Sequence, residues 1–221
     1  MRRLLILSAS FLLTSTLLRA QNKISEGIIT YSVEWQLPEQ MQEMANNFPS
    51  EIKVYFKGDS SSTKTESQMY SSNSILYPPS NFEQILLDIP LMAKKYSVTF
   101  TPEDQKKMVD KMPQLELKST SETKKIAGYQ VHKYTGIEKK SNETFDVWFT
   151  NDVDITPNAL SRFYDIREGF PIEFTAFLNG LSLKASVKEI KPGPIPKESF
   201  SASKDYQAIT LDQLIQMSGA N

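Results

Sequence analysis

A single histidine, His132, stands in a chain of 221 residues that contains no cysteine. A hydrolytic triad needs a nucleophile, a base and an orienting acid held together, and no G-x-S-x-G or comparable context accompanies this imidazole. His132 lies between Val131 and Lys133 in a run that alternates through Tyr134, so it reads as a strand residue rather than a catalytic base. The lack of cysteine excludes disulfides, thiolate metal sites, a cysteine nucleophile and the lipidated cysteine of a bacterial lipoprotein. Asn151, Asp152 and Asp154 gather oxygens as a hard cation requires. They lack the glycine at the sixth position and the distal acid of a calcium loop, so turn and cap chemistry is expected of them. Glu103, Asp104, Glu138 and Glu143 fall on helix starts or turns, without the pairing that raises one carboxyl for acid catalysis. No glycine pattern cradles a phosphate. The expectation is a non-enzymatic protein with no catalytic residue, no cofactor and no metal.

What remains is apolar chemistry. Seven methionines follow Met1, and Met41, Met44, Met108 and Met112 fall on the apolar stripes of two predicted helices. Methionine is unbranched and polarizable, so a surface built from it adapts to ligands of variable shape such as lipid tails. With Phe48, Ile85, Leu87, Trp148, Phe163 and Phe177, these four are candidates to line a cavity between sheet and helices. The competing reading is ordinary core packing of a helix-covered sheet.

The elements that must position these residues follow from periodicity. The stretch Thr123 to Thr150 predicts a hairpin, Tyr129 to Ile137 and Thr144 to Thr150, in which Phe145, Val147 and Phe149 share one face. Further strands are expected at Gly27–Trp35, Glu51–Lys57, Ser60–Met69, Ser74–Tyr77, Phe82–Ile89 and Lys95–Phe100, with a short one at Leu115–Leu117. Two more flank the Asn179-Gly180 turn. Ser60–Met69 is so rich in Ser and Thr that its two faces hardly differ, which places it near a sheet edge. Helices are expected at Glu39–Phe48, at Pro102–Met112 behind Thr101 as N-cap, at Pro157–Ile166 behind Thr156, and at Thr210–Met217. So many antiparallel strands do not stay flat and open. The fold class expected is α+β: one large curved antiparallel sheet, a half-barrel, with short helices on its concave side. A two-sheet sandwich is the alternative.

Arg2-Arg3, an apolar run from Leu4 to Leu18 and then Arg19-Ala20-Gln21 have the three parts of a secretory signal, with cleavage expected after Ala20. The run is shorter than the ~20 apolar residues of a spanning helix. Residues 1–20 are thus a signal peptide and 21–221 a single sheet domain, periplasmic or secreted. Loss of Arg2, Arg3 and Arg19 takes the formal net charge from −1 to −4. A weakly acidic chain without a basic block argues against nucleic acid.

K-K-I-A-G-Y at Lys124 to Tyr129, D-V-W-F-T at Asp146 to Thr150, P-I-E-F at Pro171 to Phe174 and S-V-K-E-I-K-P-G-P-I-P-K-E-S-F at Ser186 to Phe200 form a set. It resembles secreted bacterial proteins that share a domain of unknown function. That family is similar in outline to the lipoprotein-carrier half-barrels of the periplasm, where a curved antiparallel sheet encloses helices and an apolar concavity. The resemblance implies fold and address. Together the readings predict a periplasmic or secreted binding or carrier protein for an apolar ligand, a lipid or acyl chain, held between sheet and helices. The alternative is an envelope protein–protein interaction or stress-sensing module without a small ligand, using the sheet edge or outer face.

Overall fold

Alternating apolar and polar residues from Glu26 onward commit the chain to a half-buried strand, one of twelve that join in a single sheet. The computed structural model describes residues 22–178 and 180–218. The expected signal segment and its cleavage point after Ala20 lie outside them, as does Asn179. In chain order the strands are β1 (Asn22–Lys23), β2 (Glu26–Gln36), β3 (Glu51–Lys57), β4 (Ser60–Glu66), β5 (Ser71–Tyr77), β6 (Phe82–Ile89) and β7 (Lys94–Thr99). After helix α1 (Pro102–Lys111) come β8 (Leu115–Ile126), β9 (Tyr129–Glu138), β10 (Thr144–Thr150), β11 (Val153–Asp154), β12 (Phe170–Leu178), β13 (Leu181–Pro192) and β14 (Gln207–Ala208). Helix α2 (Leu211–Ser218) follows.

The sheet runs β14-β7-β6-β5-β4-β3-β2-β13-β12-β10-β9-β8 and is open between β14 and β8. Every pair is antiparallel except the two-residue contact of β14 with β7. β1 and β11 form a separate parallel pair. This is the expected α+β fold with one large curved sheet.

Two side chains of one segment span the curved sheet. Arg162 reaches Glu83 on β6 with an Nη1–Oε1 distance of 2.9 Å, while Tyr164, two residues on, donates its hydroxyl to the Thr175 carbonyl on β12 at 2.5 Å. Those strands are six steps apart in the sheet order, which in a flat sheet would be about 29 Å at ~4.8 Å per strand. Arg162 and Tyr164 thus tie strands six places apart in the curved sheet to one short segment on its inner face.

The inner face carries the core. Tyr31, Ile29, Ile52, Val54, Phe56, Leu183, Ala185, Phe174 and Ala176 are all fully or nearly fully buried there. Cross-strand partners share a face, and the register Ile29–Val54–Thr63–Ser74–Ile85–Val98 carries this face from β2 to β7.

Three expectations change. Ser60–Glu66 is an interior strand, not an edge, since β4 lies between β3 and β5. Ser61, Ser62, Thr63 and Thr65 are buried; their hydroxyls are small enough to lie under a covering segment without forcing strands apart. The residues 157–166 do not form a helix. Asn158 Oδ1 accepts the backbone N–H groups of Leu160 and Ser161 at 2.9 and 3.3 Å and Arg162 N donates to the Asn158 carbonyl at 2.9 Å, so one capped turn forms, but it stops where Arg162 and Tyr164 bond to β6 and β12. Glu39–Asn47 is a 3-10 helix with no buried residue. Pro38 offers it no capping side chain, and Asn46-Asn47 before Pro49 are poor helix formers. α1 keeps its expected start through a capping box, Thr101 Oγ1 accepting from Asp104 N at 3.1 Å and Asp104 Oδ2 accepting from Thr101 N at 3.0 Å.

Candidate binding site

The curl leaves a long inner face, and two different coverings divide it. Over β2, β3, β13, β12 and β10 the cover is the irregular segment 153–169. Val153, Ile155, Ala159, Leu160 and Tyr164 from this segment are buried. Its backbone cannot satisfy itself as a helix would, so it is tied to the sheet by side chains. Asn158, 0 % exposed, donates Nδ2–H to the Tyr31 hydroxyl at 3.2 Å; Ser61 Oγ donates to the Pro157 carbonyl at 3.3 Å; Thr156 Oγ1 donates to the Gly58 carbonyl at 2.8 Å. Burial pushes the phenols of Tyr31 and Tyr164 well above the usual tyrosine range. A chain of near edge-to-face rings, Tyr134–Phe149–Tyr164–Phe174–Tyr31, with centroids 5.1 to 5.9 Å apart, runs through this half. A pocket of about 90 Å³ beside Val153, Tyr164 and Phe170 falls below the ~300 Å³ at which ligand sites begin.

Over β6 and β7 the cover is helical. Val98 and Phe100 bury against Leu211, and Ile85, Met108, Ile209, Leu214 and Ile215 pack around them half-buried. α1 and α2 adjoin through Lys107 and Asp212, 4.0 Å apart. Leu87 and Tyr96, the next cross-strand pair down the same face from Ile85 and Val98, are also only half-buried. Between the two coverings the floor turns polar: Thr63 and Thr65 on β4, Ser72 and Ser74 on β5, with the Arg162–Glu83 pair crossing above.

The ten residues expected to line one cavity occupy four places. Ile85 and Met108 come together at the helical half, Leu87 follows on the same face of β6, and Met112, half-buried, ends α1 as its C-cap. Phe48 stacks on Trp35 at 5.0 Å, with Met41 half-buried and Met44 42 % exposed on the preceding 3-10 turns. Phe163 meets Phe177 edge to face at 5.8 Å. Trp148 lies on the opposite side of the sheet from Ile85: it registers with Lys133 and Glu173, and Lys124 Nζ sits 4.0 Å from its ring centroid. Lys133 bridges Glu122 and Asp146 at 3.2 and 3.1 Å, and Lys124 bridges Glu173 at 3.3 Å, so the indole is roofed by lysine stems.

His132 is exposed on β9. Asp152 N donates to Thr150 Oγ1 at 3.1 Å, which is local turn chemistry, whereas its Oδ2 accepts from Gln130 N, 22 residues away on β9, at 2.9 Å. Glu138 does more than sequence reading foresaw. Its carboxylate accepts backbone N–H groups of Ser141, Lys140 and Gln114 at 2.6, 2.9 and 3.2 Å, and these hold the group below the usual carboxylate range. Asn158, Arg162 and Thr63 were also missed. Their partners lie far away in sequence, Glu83 being 79 residues from Arg162 and Tyr31 127 from Asn158; no local pattern signals such pairs.

Among the described residues no helix is long and apolar enough to cross a membrane. No curated protein gives a significant match to the chain. A family model, described as a domain of unknown function, DUF4412, matches residues 39–158, from the 3-10 turns after β2 to the first turn of the segment that covers the core. That match takes in more than half of the sequence, and the chain belongs to the DUF4412 family.

Proposed function

We propose that this is an exported, non-enzymatic binding or carrier protein that holds an apolar ligand, a lipid or acyl chain, against the helical half of its curved sheet. One observation carries the reading. The inner face is closed by a tied-down segment over one half, whereas Ile85, Leu87, Met108 and Tyr96 in the other half stay only partly covered. A ligand lying there would remove further apolar surface from water at ~25 cal/mol per Å². Met108 offers the adaptable contact that chains of differing length require. Access needs the short helices α1 and α2 to move, and the hydrogen bond that holds α1 beside β6, Gln105 Nε2 to the Asn81 carbonyl, is exposed, whereas that of Asn158 to Tyr31 is buried. The charged and apolar organisation of residues 1–20 supports export.

Native mass spectrometry of protein isolated from its host envelope without detergent tests this. The expected result is a mass excess released by organic solvent. A bare polypeptide mass with no solvent-extractable lipid would refute it.

A second reading, docking of an envelope protein, is favoured by β8. This edge strand runs twelve residues and is largely exposed, and unpaired strand edges accept further strands. Its lysines Lys118, Lys124 and Lys125 and the register shift between Ser119 and Thr123 are features that discourage such pairing. The apolar-ligand reading therefore takes precedence.

A further inference from the structure

Among the described residues two buried side-chain polar atoms have no hydrogen-bond partner, Thr63 Oγ1 and Arg162 Nε. Both belong to the seam between the two halves of the inner face. Thr63, 1 % exposed, lies on the floor, in one cross-strand row with Ser74 and Ile85. Arg162 hangs from the covering segment and crosses above β4 and β5 to reach Glu83 on β6. Native proteins rarely leave buried polar groups unmet, and each such case asks for an explanation.

The geometry points to a head-group subsite: Thr63 and Arg162 bind the carbonyl oxygen of an uncharged acyl ester or amide, whose hydrocarbon chain runs along Ile85 and Leu87. This rests on the reading of the helical half as an apolar site and names the end at which the ligand's polar group sits. The class follows from counting donors and charge. A hydroxyl and a guanidinium N–H both donate, so the ligand supplies an acceptor oxygen. The guanidinium charge is already balanced by Glu83 at 2.9 Å, so a second carboxylate would enter beside an existing one and be repelled. An ester or amide carbonyl accepts without adding charge. The adjoining row, Thr63–Ser74–Ile85, changes from hydroxyl to hydrocarbon within two strands, matching an amphiphile's change from head to chain.

Displacement of a fluorescent apolar dye, N-phenyl-1-naphthylamine, by three probes of equal chain length tests the assignment: 1-monopalmitoylglycerol, palmitate and hexadecane, at pH 8. The wild-type chain is expected to bind the ester more tightly than palmitate or hexadecane. Thr63→Val, which replaces the hydroxyl by a methyl of similar shape, should weaken the ester by about five- to tenfold, the worth of one hydrogen bond, and leave hexadecane unchanged. Arg162→Lys, which keeps a cation opposite Glu83 but loses Nε, should do the same. Thr63→Val should melt at or above the wild-type temperature, because an unpartnered buried hydroxyl has been removed. Equal weakening of ester and hexadecane, or an unchanged ester affinity, would overturn the subsite. Palmitate bound more tightly than the ester would overturn the uncharged class. Failure of the dye and every probe to bind would refute the apolar site itself, and the subsite with it.

Discussion

Asn158→Ala should unfasten the segment that closes half of the inner face. The side chain makes three hydrogen bonds where no water reaches: Oδ1 accepts from Leu160 N and Ser161 N, and Nδ2 donates to the Tyr31 hydroxyl. Truncation strands two backbone donors and leaves the fully buried Tyr31 without its partner. Each stranded group costs ~1–3 kcal/mol, and with some relaxation a total loss of about 3–5 kcal/mol is expected. For a chain of this size that is a fall in Tm of about 10–15 °C at ~3 °C per kcal/mol. The assay is urea denaturation followed by tryptophan fluorescence, with Tyr31→Phe and the double variant completing a cycle. Tyr31→Phe removes one bond and should cost ~1 kcal/mol, and the double variant should lose less than the sum of the singles, since both remove the same contact. A loss under 1 kcal/mol for Asn158→Ala, or strict additivity, would refute the claim that this residue fastens the covering segment.

Leu160→Ala empties a fully buried position in the same segment and should cost ~2–5 kcal/mol by equilibrium denaturation. Gly27→Ala would set a Cβ 2.6 Å from the Lys191 carbonyl oxygen in the adjacent strand β13; the backbones must part, and a loss of ~1–3 kcal/mol in the same assay is expected. Because backbone donors lower the folded pKa of Glu138 below its ordinary 4.5, its contribution is present above that value and is lost as pH falls through the lower folded value. Glu138→Gln should therefore flatten the acid limb of a stability-versus-pH curve between pH 7 and 3. Trp148→Phe should leave dye binding unchanged, because Trp148 lies across the sheet from Ile85 and Met108.

Most strands were legible from the spacing of their apolar residues and the turns that bound them. Glu51–Lys57 begins and ends where alternation and Gly58 place it, and Phe82–Ile89, apolar on both faces except at Asp88, where its apolar run and Pro90 do. β4 was misplaced for the reason it is unusual: serine and threonine on both faces carry no periodic signal, so nothing in Ser60–Glu66 reports that strands flank it on both sides. β8 was underestimated because Lys118 to Lys125 is polar throughout, and its pairing with β9 supplies what its own sequence does not. The 157–166 segment has helix-like apolar spacing at Leu160 and Tyr164, but Asn158 caps a single turn and distant strands capture Arg162 and Tyr164. For the site, a methionine stripe identified Met108, which joins Ile85 beneath α2. Trp148 was grouped with them by chemistry alone, although strand alternation already set it opposite Val147 and Phe149.

The division of the inner face is tested most directly by photolabelling with a diazirine-bearing palmitoyl ester, with adducts mapped by peptide mass spectrometry. The account predicts saturable labelling on β6 and α1, at Ile85, Leu87 and Met108, competed by unlabelled ester and absent from peptides carrying Trp148. Labelling that does not saturate, or that falls on the Trp148 face, would contradict it.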